Sequence, residues 1–295
     1  MTEQELLSLR QRKWHLDDRP IRTVEEAREF IDSVGFCLMY PLERQSVLIP
    51  TFIGAWAGRD DHLPTWQHAF TDPRTPAATE LMVRLLREKA AFEANLYGEN
   101  VFLVSAAVFP FLYGLVGDRN PRQPLKPGHR SGDSQLARDA FDALRQQGAM
   151  TKTRLREVLG REPSSAALDR ALAELGSRLL ITRVDYKPDE GASWNTLFRW
   201  APETVREGIE LSVPAALSAL VSKYLDCLIA AELAEVVEFF GHFVARSKVN
   251  EAVNALLAAR ELNFVQVENG SKLQVAPPRL PANPPIRREP PKAKL

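Results

Sequence analysis

GAMTKTRLREVLG, residues 148–160, decides the fold. A glycine turn leads to Thr151, a residue type that caps helices. A short amphipathic helix then runs to a second glycine, Gly160. That is the pattern of the middle helix of a helix-turn-helix. On its N-terminal side LARDAFDALRQQ (136–147) predicts a first helix. On its C-terminal side SSAALDRALAELGSRLL (164–180) predicts a third, with Leu168, Ala171, Leu172, Leu175 and Leu179 at i, i+3, i+4 spacing. ITRVDYKPDEGASWNTLFRW (181–200) then alternates apolar and polar residues on both sides of Lys-Pro-Asp-Glu-Gly, as a β-hairpin does. Three helices and a hairpin make a winged helix.

The order recurs downstream. ALSALVSKYLDCLIA (216–230), ELAEVVEFFG (232–241) and SKVNEAVNALLAARE (247–261) predict three helices, and NFVQVENGSKLQVAP (263–277) two strands about an Asn-Gly turn. The fold class expected is therefore mainly α with small β-wings, as tandem winged-helix modules.

Upstream, Thr23 with Glu26 forms a capping box, opening a helix that ends at Val34 before Gly35. FCLMYPLERQSVLIPTFIGAWAG (36–58) reads as loops around one or two short elements. TDPRTPAATELMVRLLREKAAFEANLYG (71–98) reads as one helix, capped by Thr75 with Pro76 at its first position and closed by Gly98. Its stripe is Leu81, Leu85, Phe92 and Leu96. VFLVSAAVFPFLYGLVG (101–117) reads as a buried helix. DRNPRQPLKPGHRSGDSQ (118–135) is a polar connector carrying Arg119, Arg122, Lys126, His129 and Arg130. The expected organisation is an N-terminal segment (1–20), a helical or winged-helix-like domain (21–118), a linker (119–134), winged helices at 135–201 and 202–276, and a proline-rich basic tail (277–295).

Composition narrows the function. Of 295 residues, 38 are Lys or Arg and 38 are Asp or Glu, so any phosphate-binding surface must be a local patch. The two cysteines, Cys37 and Cys227, form no metal-ligand spacing. The charged start MTEQELLSLRQRKWHLDDRP lacks a signal-peptide core, and no run approaches the roughly 20 apolar residues of a membrane span. A cytoplasmic protein is expected, nucleoid-associated if it binds DNA, with no cofactor, no metal and no membrane partner.

Cations suited to DNA backbone contact cluster at Lys152, Arg154 and Arg156. The third helix of the first module shows Ser165, Asp169, Arg170, Glu174 and Arg178, a mixed-charge face of which Arg170 is the candidate contact. The corresponding helix of the second module opens with Arg246, Ser247 and Lys248 and continues with Asn250 and Asn254. Its small polar and basic groups suit a helix N-terminus facing phosphate, and asparagine can read adenine edges. The tail, with Arg279, Arg287, Arg288, Lys292 and Lys294 against Glu289, suits a solvated polyproline-like arm, or a flexible basic arm that adds weak phosphate contacts or docks a protein partner.

ARDAFDALRQQGAMTKTRLREVLG and YLDCLIAAELAEVVEFFGHFVARSKVNEAVNALL, with VEEAREFIDSVGFCLMYP and VFPFLYGLVG, make the chain resemble the AlkZ/YcaQ superfamily, the winged-helix DNA glycosylases that excise alkylated and crosslinked bases. The resemblance covers most of residues 20–278 and lies with a divergent, AlkZ-related branch. It implies double-stranded, damaged DNA as partner. It also implies a Gln-x-Gln or Gln-x-Asp motif that positions water against the anomeric carbon. Aligned at Val34, that motif falls on Gly35-Phe36-Cys37. Shifted, it falls on Phe30-Ile31-Asp32. The motif is absent, so the candidate substitutes are Asp32, Cys37, Tyr40 and Glu43, and glycosylase activity is an open expectation. A non-catalytic winged-helix transcriptional regulator or protein-interaction module is the alternative. A third reading is a hydrolase centred on Asp60, Asp61 and His62.

Overall fold

The computed structural model describes residues 1–42, 47–97, 100–125, 134–160, 163–187, 189–268 and 270–277. It is mainly helical with small antiparallel sheets. An N-terminal helix, α1 (Glu3–Lys13), is fastened by a capping box between Thr2 and Glu5. The next elements are α2 (Val24–Val34), β1 (Phe36–Leu38), α3 (Phe52–Ala57), α4 (Thr75–Arg87), β2 (Ala91–Tyr97) and β3 (Asn100–Ser105). They form unit one. Helix α5 (Phe109–Val116) follows. Unit two repeats the order as α6 (Gln135–Gln147), β4 (Met150–Thr151), α7 (Lys152–Leu159), α8 (Ser165–Ser177), β5 (Ile181–Lys187) and β6 (Gly191–Thr196). Helices α9 (Leu197–Trp200) and α10 (Pro202–Glu210) connect it to unit three, which comprises α11 (Val213–Leu228), α12 (Leu233–Phe240), α13 (Arg246–Ala258), β7 (Leu262–Val267) and β8 (Gly270–Val275). The sheets of units one and two share one strand order, β1-β3-β2 and β4-β6-β5. In unit three a single bridge, Ala231 to Leu273, stands where β1 and β4 lie.

The three units correspond residue by residue. Helices α4, α8 and α13 each hold 13 residues. Two residues past each lies a non-glycine residue with left-handed φ: Lys89 (56°), Leu179 (52°) and Arg260 (60°), an uncommon conformation for such residues. The closure that accommodates it is the same each time. Lys89, Leu179 and Arg260 donate to the carbonyls of Leu86, Gly176 and Leu257. The next amides, Ala90, Leu180 and Glu261, donate to Leu85, Leu175 and Leu256. These bonds satisfy carbonyls that the helix end leaves open. The first helices also end alike, on Gly35 (φ 81°), Gly148 (φ 89°) and Ile229 (φ 68°). Two residues beyond each comes the residue that meets the middle strand: Cys37 on Leu103, Met150 on Trp194, Ala231 on Leu273.

Several expectations hold at the level of elements. Helix α2 starts on the Thr23–Glu26 capping box and stops at Gly35, and the hairpins at 181–196 and 262–275 are present. Others do not. The single helix expected over 71–98 ends at Arg87, and 91–97 is a strand, because Lys89 takes the left-handed turn without a glycine to announce it. Gly98, expected as the cap, lies outside the described residues. Thr75 is the first helical residue of α4, not its cap. The buried helix expected over 101–117 is a strand and then a helix, with Pro110 in the first turn of α5. Residues 197–200, expected as strand, are helical.

One core runs through units one and three, while unit two has its own around Phe141, Leu144, Leu155, Leu168 and Leu172. Units one and three are joined by stacked rings. Phe36 of β1 lies 6.1 Å from Tyr224 of α11 and 5.4 Å from Phe239 of α12, and Tyr224 and Phe239 are 4.2 Å apart. Such pairs add to the area they bury. Units one and two are joined reciprocally: α4 packs on β5, α8 packs on β2, and β2 lies against β5.

Candidate nucleic-acid interface

The three candidate catalytic residues that the structure describes, Asp32, Cys37 and Tyr40, do not form one site. Asp32 stands exposed on the last turn of α2. Desolvation raises its carboxyl above the usual range, against the pull of Lys223 and Arg28. Cys37 is fully buried in β1, and burial holds its thiol well above its ordinary range, unsuited to a nucleophile. Tyr40 is buried beside Trp66, 5.9 Å ring to ring, and its phenol is raised by burial. Glu43 lies outside the described residues. The tripeptide aligned with the family's motif is packed shut. Lys223 crosses Gly35 so closely that a Cβ there would come within 2.6 Å of its side-chain carbons, and its ammonium donates to the Ser33 carbonyl. Phe36 is in the ring stack and Cys37 is sealed. His62 and Asp61 are exposed and 3.8 Å apart. Among the described residues no three His, Cys, Asp or Glu side chains converge as a metal site would require.

The cations expected to meet DNA are at the surface. On α7, Arg154 pairs with Glu157 at 2.8 Å, Lys152 pairs with Asp169 of α8, and Arg156 is exposed. Arg170 of α8 is exposed, its Nε 3.4 Å from the Ala166 carbonyl. On α13, Lys248 pairs with Glu251 at 2.7 Å, and Arg246, Asn250 and Asn254 are exposed. Among the described residues no acid pairs with Arg156 or Arg246. Exposed pairs of this kind are worth under about 1 kcal/mol and exchange readily for phosphate. Lys126, His129 and Arg130 of the linker lie outside the described residues, as does the tail beyond Pro277.

The three third helices begin differently. Helix α4 opens Thr75-Pro76-Ala77 with no side-chain cap and no cation in that stretch, and α8 opens Ser165-Ala166-Ala167, its start capped by Ser164, which accepts from the Ala167 amide. Helix α13 opens Arg246-Ser247-Lys248 after Ala245, and no side chain caps it. Open amide groups with two cations beside them are the features of a helix end that holds phosphate.

The pairing of units one and two was missed from sequence. Glu93 of β2 is 2% exposed and faces Arg183 of β5 at 3.4 Å, and Arg183 lies over the Trp194 ring at 5.3 Å. Thr182 Oγ1 donates to the Glu93 carbonyl at 3.0 Å. At the margins Arg87, the last residue of α4, donates to Asp185 of β5 at 2.6 Å. Reciprocally, Gly176 near the end of α8 seats on Asn95 of β2, whose amide would be 2.9 Å from an added Cβ. The available signal was one glutamate in the apolar run AFEANLY.

The model of the DNA glycosylase AlkZ-like family matches residues 62–294. The chain belongs to that family. Among solved structures it is similar to the Streptomyces sahachiroi DNA glycosylase AlkZ, with a TM-score of 0.59 and 12% identity over 93% of this chain and 70% of that one. At that identity the likeness concerns the fold. Among curated proteins, none matches this AlkZ-like chain by sequence.

Proposed function

We propose that this member of the AlkZ-like family binds duplex DNA and recognises alkylated or crosslinked bases in repair. In this reading the three units are tandem winged helices, at about 21–118, 135–201 and 202–276. The single observation that carries it is the start of α13, where an uncapped helix end carries Arg246 and Lys248 at the surface. Asn250 and Asn254 extend that face, and Lys152, Arg154, Arg156 and Arg170 of unit two add backbone contacts. The segment Gly35-Phe36-Cys37 offers water neither an acid nor an amide side chain, so recognition, not base excision through that segment, is the activity assigned.

Two measurements on one preparation test this. Anisotropy titrations with undamaged and alkylated duplexes should show binding that weakens steeply with salt, at about 0.9 in log K per log salt for each phosphate engaged. Base release from the alkylated duplex should stay at background. Absent or salt-insensitive binding would overturn the DNA reading, and robust base release would overturn the assignment of recognition alone.

A further inference from the structure

The pairing of units one and two has a geometry that unit three can repeat. Counting from the left-handed residue after each third helix, Glu93 and Arg183 occupy the same strand position, so the two units meet through equivalent residues. Asn95 and Asp185 are likewise equivalent, and each receives the end of the other unit's third helix, Gly176 for one and Arg87 for the other. The contacts are therefore reciprocal, the pattern of a local twofold centred on the Glu93–Arg183 pair.

In unit three the axial position is Phe264, 61% exposed and the most exposed large apolar side chain among the described residues. Gln266 stands at the position of Asn95 and Asp185, and Leu257 and Ala258 stand where Gly176 and Arg87 do. Helix α1 covers the opposite face of the hairpin, where Leu6 packs with Val265 and Val267, and leaves the Phe264 face open. Residues 255, 258 and 259, the exposed end of α13, are all alanine, so a second strand can approach closely.

We propose that this face pairs with the same face of a second copy of the chain, α13 of each packing on β7 of the other and Phe264 meeting its counterpart on a true twofold axis. The composition of the axis supports this occupant. Glu93 and Arg183 attract because they differ, so that pairing is confined to two different units. A position on a true twofold must accept itself, and phenylalanine does. The cations of α13 lie at its opposite end, so this proposal stands apart from the DNA reading.

Sedimentation of the full chain should give the mass of two chains, and Phe264→Asp should give one. Mild oxidation of Phe264→Cys should crosslink two chains through that position, because both native cysteines are buried, while Leu233→Cys, exposed on α12, should not. A chain ending at Pro277 should remain dimeric. A monomeric wild type would overturn the proposal, as would a dimer indifferent to both changes at Phe264. Loss of the dimer on removing 278–295 would assign the assembly to the tail and overturn it equally.

Discussion

One hairpin position has two fates in this molecule. In units one and two it is charged, buried Glu93 against half-buried Arg183. In unit three it is exposed and apolar, Phe264. The backbone around it is the same each time, set by a 13-residue helix and a left-handed turn. The repeated fold therefore supplies a place where units meet, and the side chain decides which partner is accepted.

The sharpest way to break the comparison is to remove one member of the charged pair. Glu93→Ala should lower unfolding free energy in urea by about 3 kcal/mol, since it leaves Arg183 uncompensated in a largely buried site. Glu93→Leu with Arg183→Met should return stability to within about 1 kcal/mol of wild type, because a packed apolar pair carries no desolvation penalty. The pH dependence follows from burial, which raises the Glu93 carboxyl above the usual range against the pull of Arg183. The folded protein thus holds this proton more tightly than the unfolded chain. Its contribution is complete below the unfolded pKa, about 4.3, and is lost as the pH rises through the folded value. Glu93→Gln should flatten the wild-type decline in that window.

A smaller effect is expected at the close approach of α8 to β2. Gly176→Leu restores the residue carried at this position by units one and three, Leu86 and Leu257. It should still cost about 2 kcal/mol, because Asn95 occupies the space a side chain would need. Equal stability of this variant and wild type in urea would mean that the two units are not held at this distance. At the equivalent hairpin position of unit three, Phe264→Ala in dilute solution should stay within about 0.5 kcal/mol of wild type, as exposed side chains do.

Units two and three were legible because glycines, capping residues and an Asn-Gly turn mark their joints. Unit one was legible only to Gly35. Its third helix and first hairpin strand share a spacing, Leu81, Leu85, Phe92 and Leu96, that continues a helical stripe, and Lys89 makes the break with no residue that signals one. The site divides the same way. Arg246 and Lys248 could be read from their place at a helix start. Glu93 and Arg183 could not be joined, because nothing local links two hairpin strands so far apart in sequence. The burial of Gly35-Phe36-Cys37 depends on Lys223, Tyr224 and Phe239, which belong to another unit.

The proposed DNA binding turns most on unit three and the start of α13. Its direct test is the salt dependence of duplex binding for wild type, Arg246→Ala, Lys248→Ala and Arg87→Ala, the last an arginine committed to Asp185 at the end of α4. Arg246→Ala and Lys248→Ala should each flatten the slope of log K against log salt by about 0.9, with similar loss on every sequence. Arg87→Ala should leave the slope at the wild-type value. Unchanged slopes for both α13 variants would contradict the account.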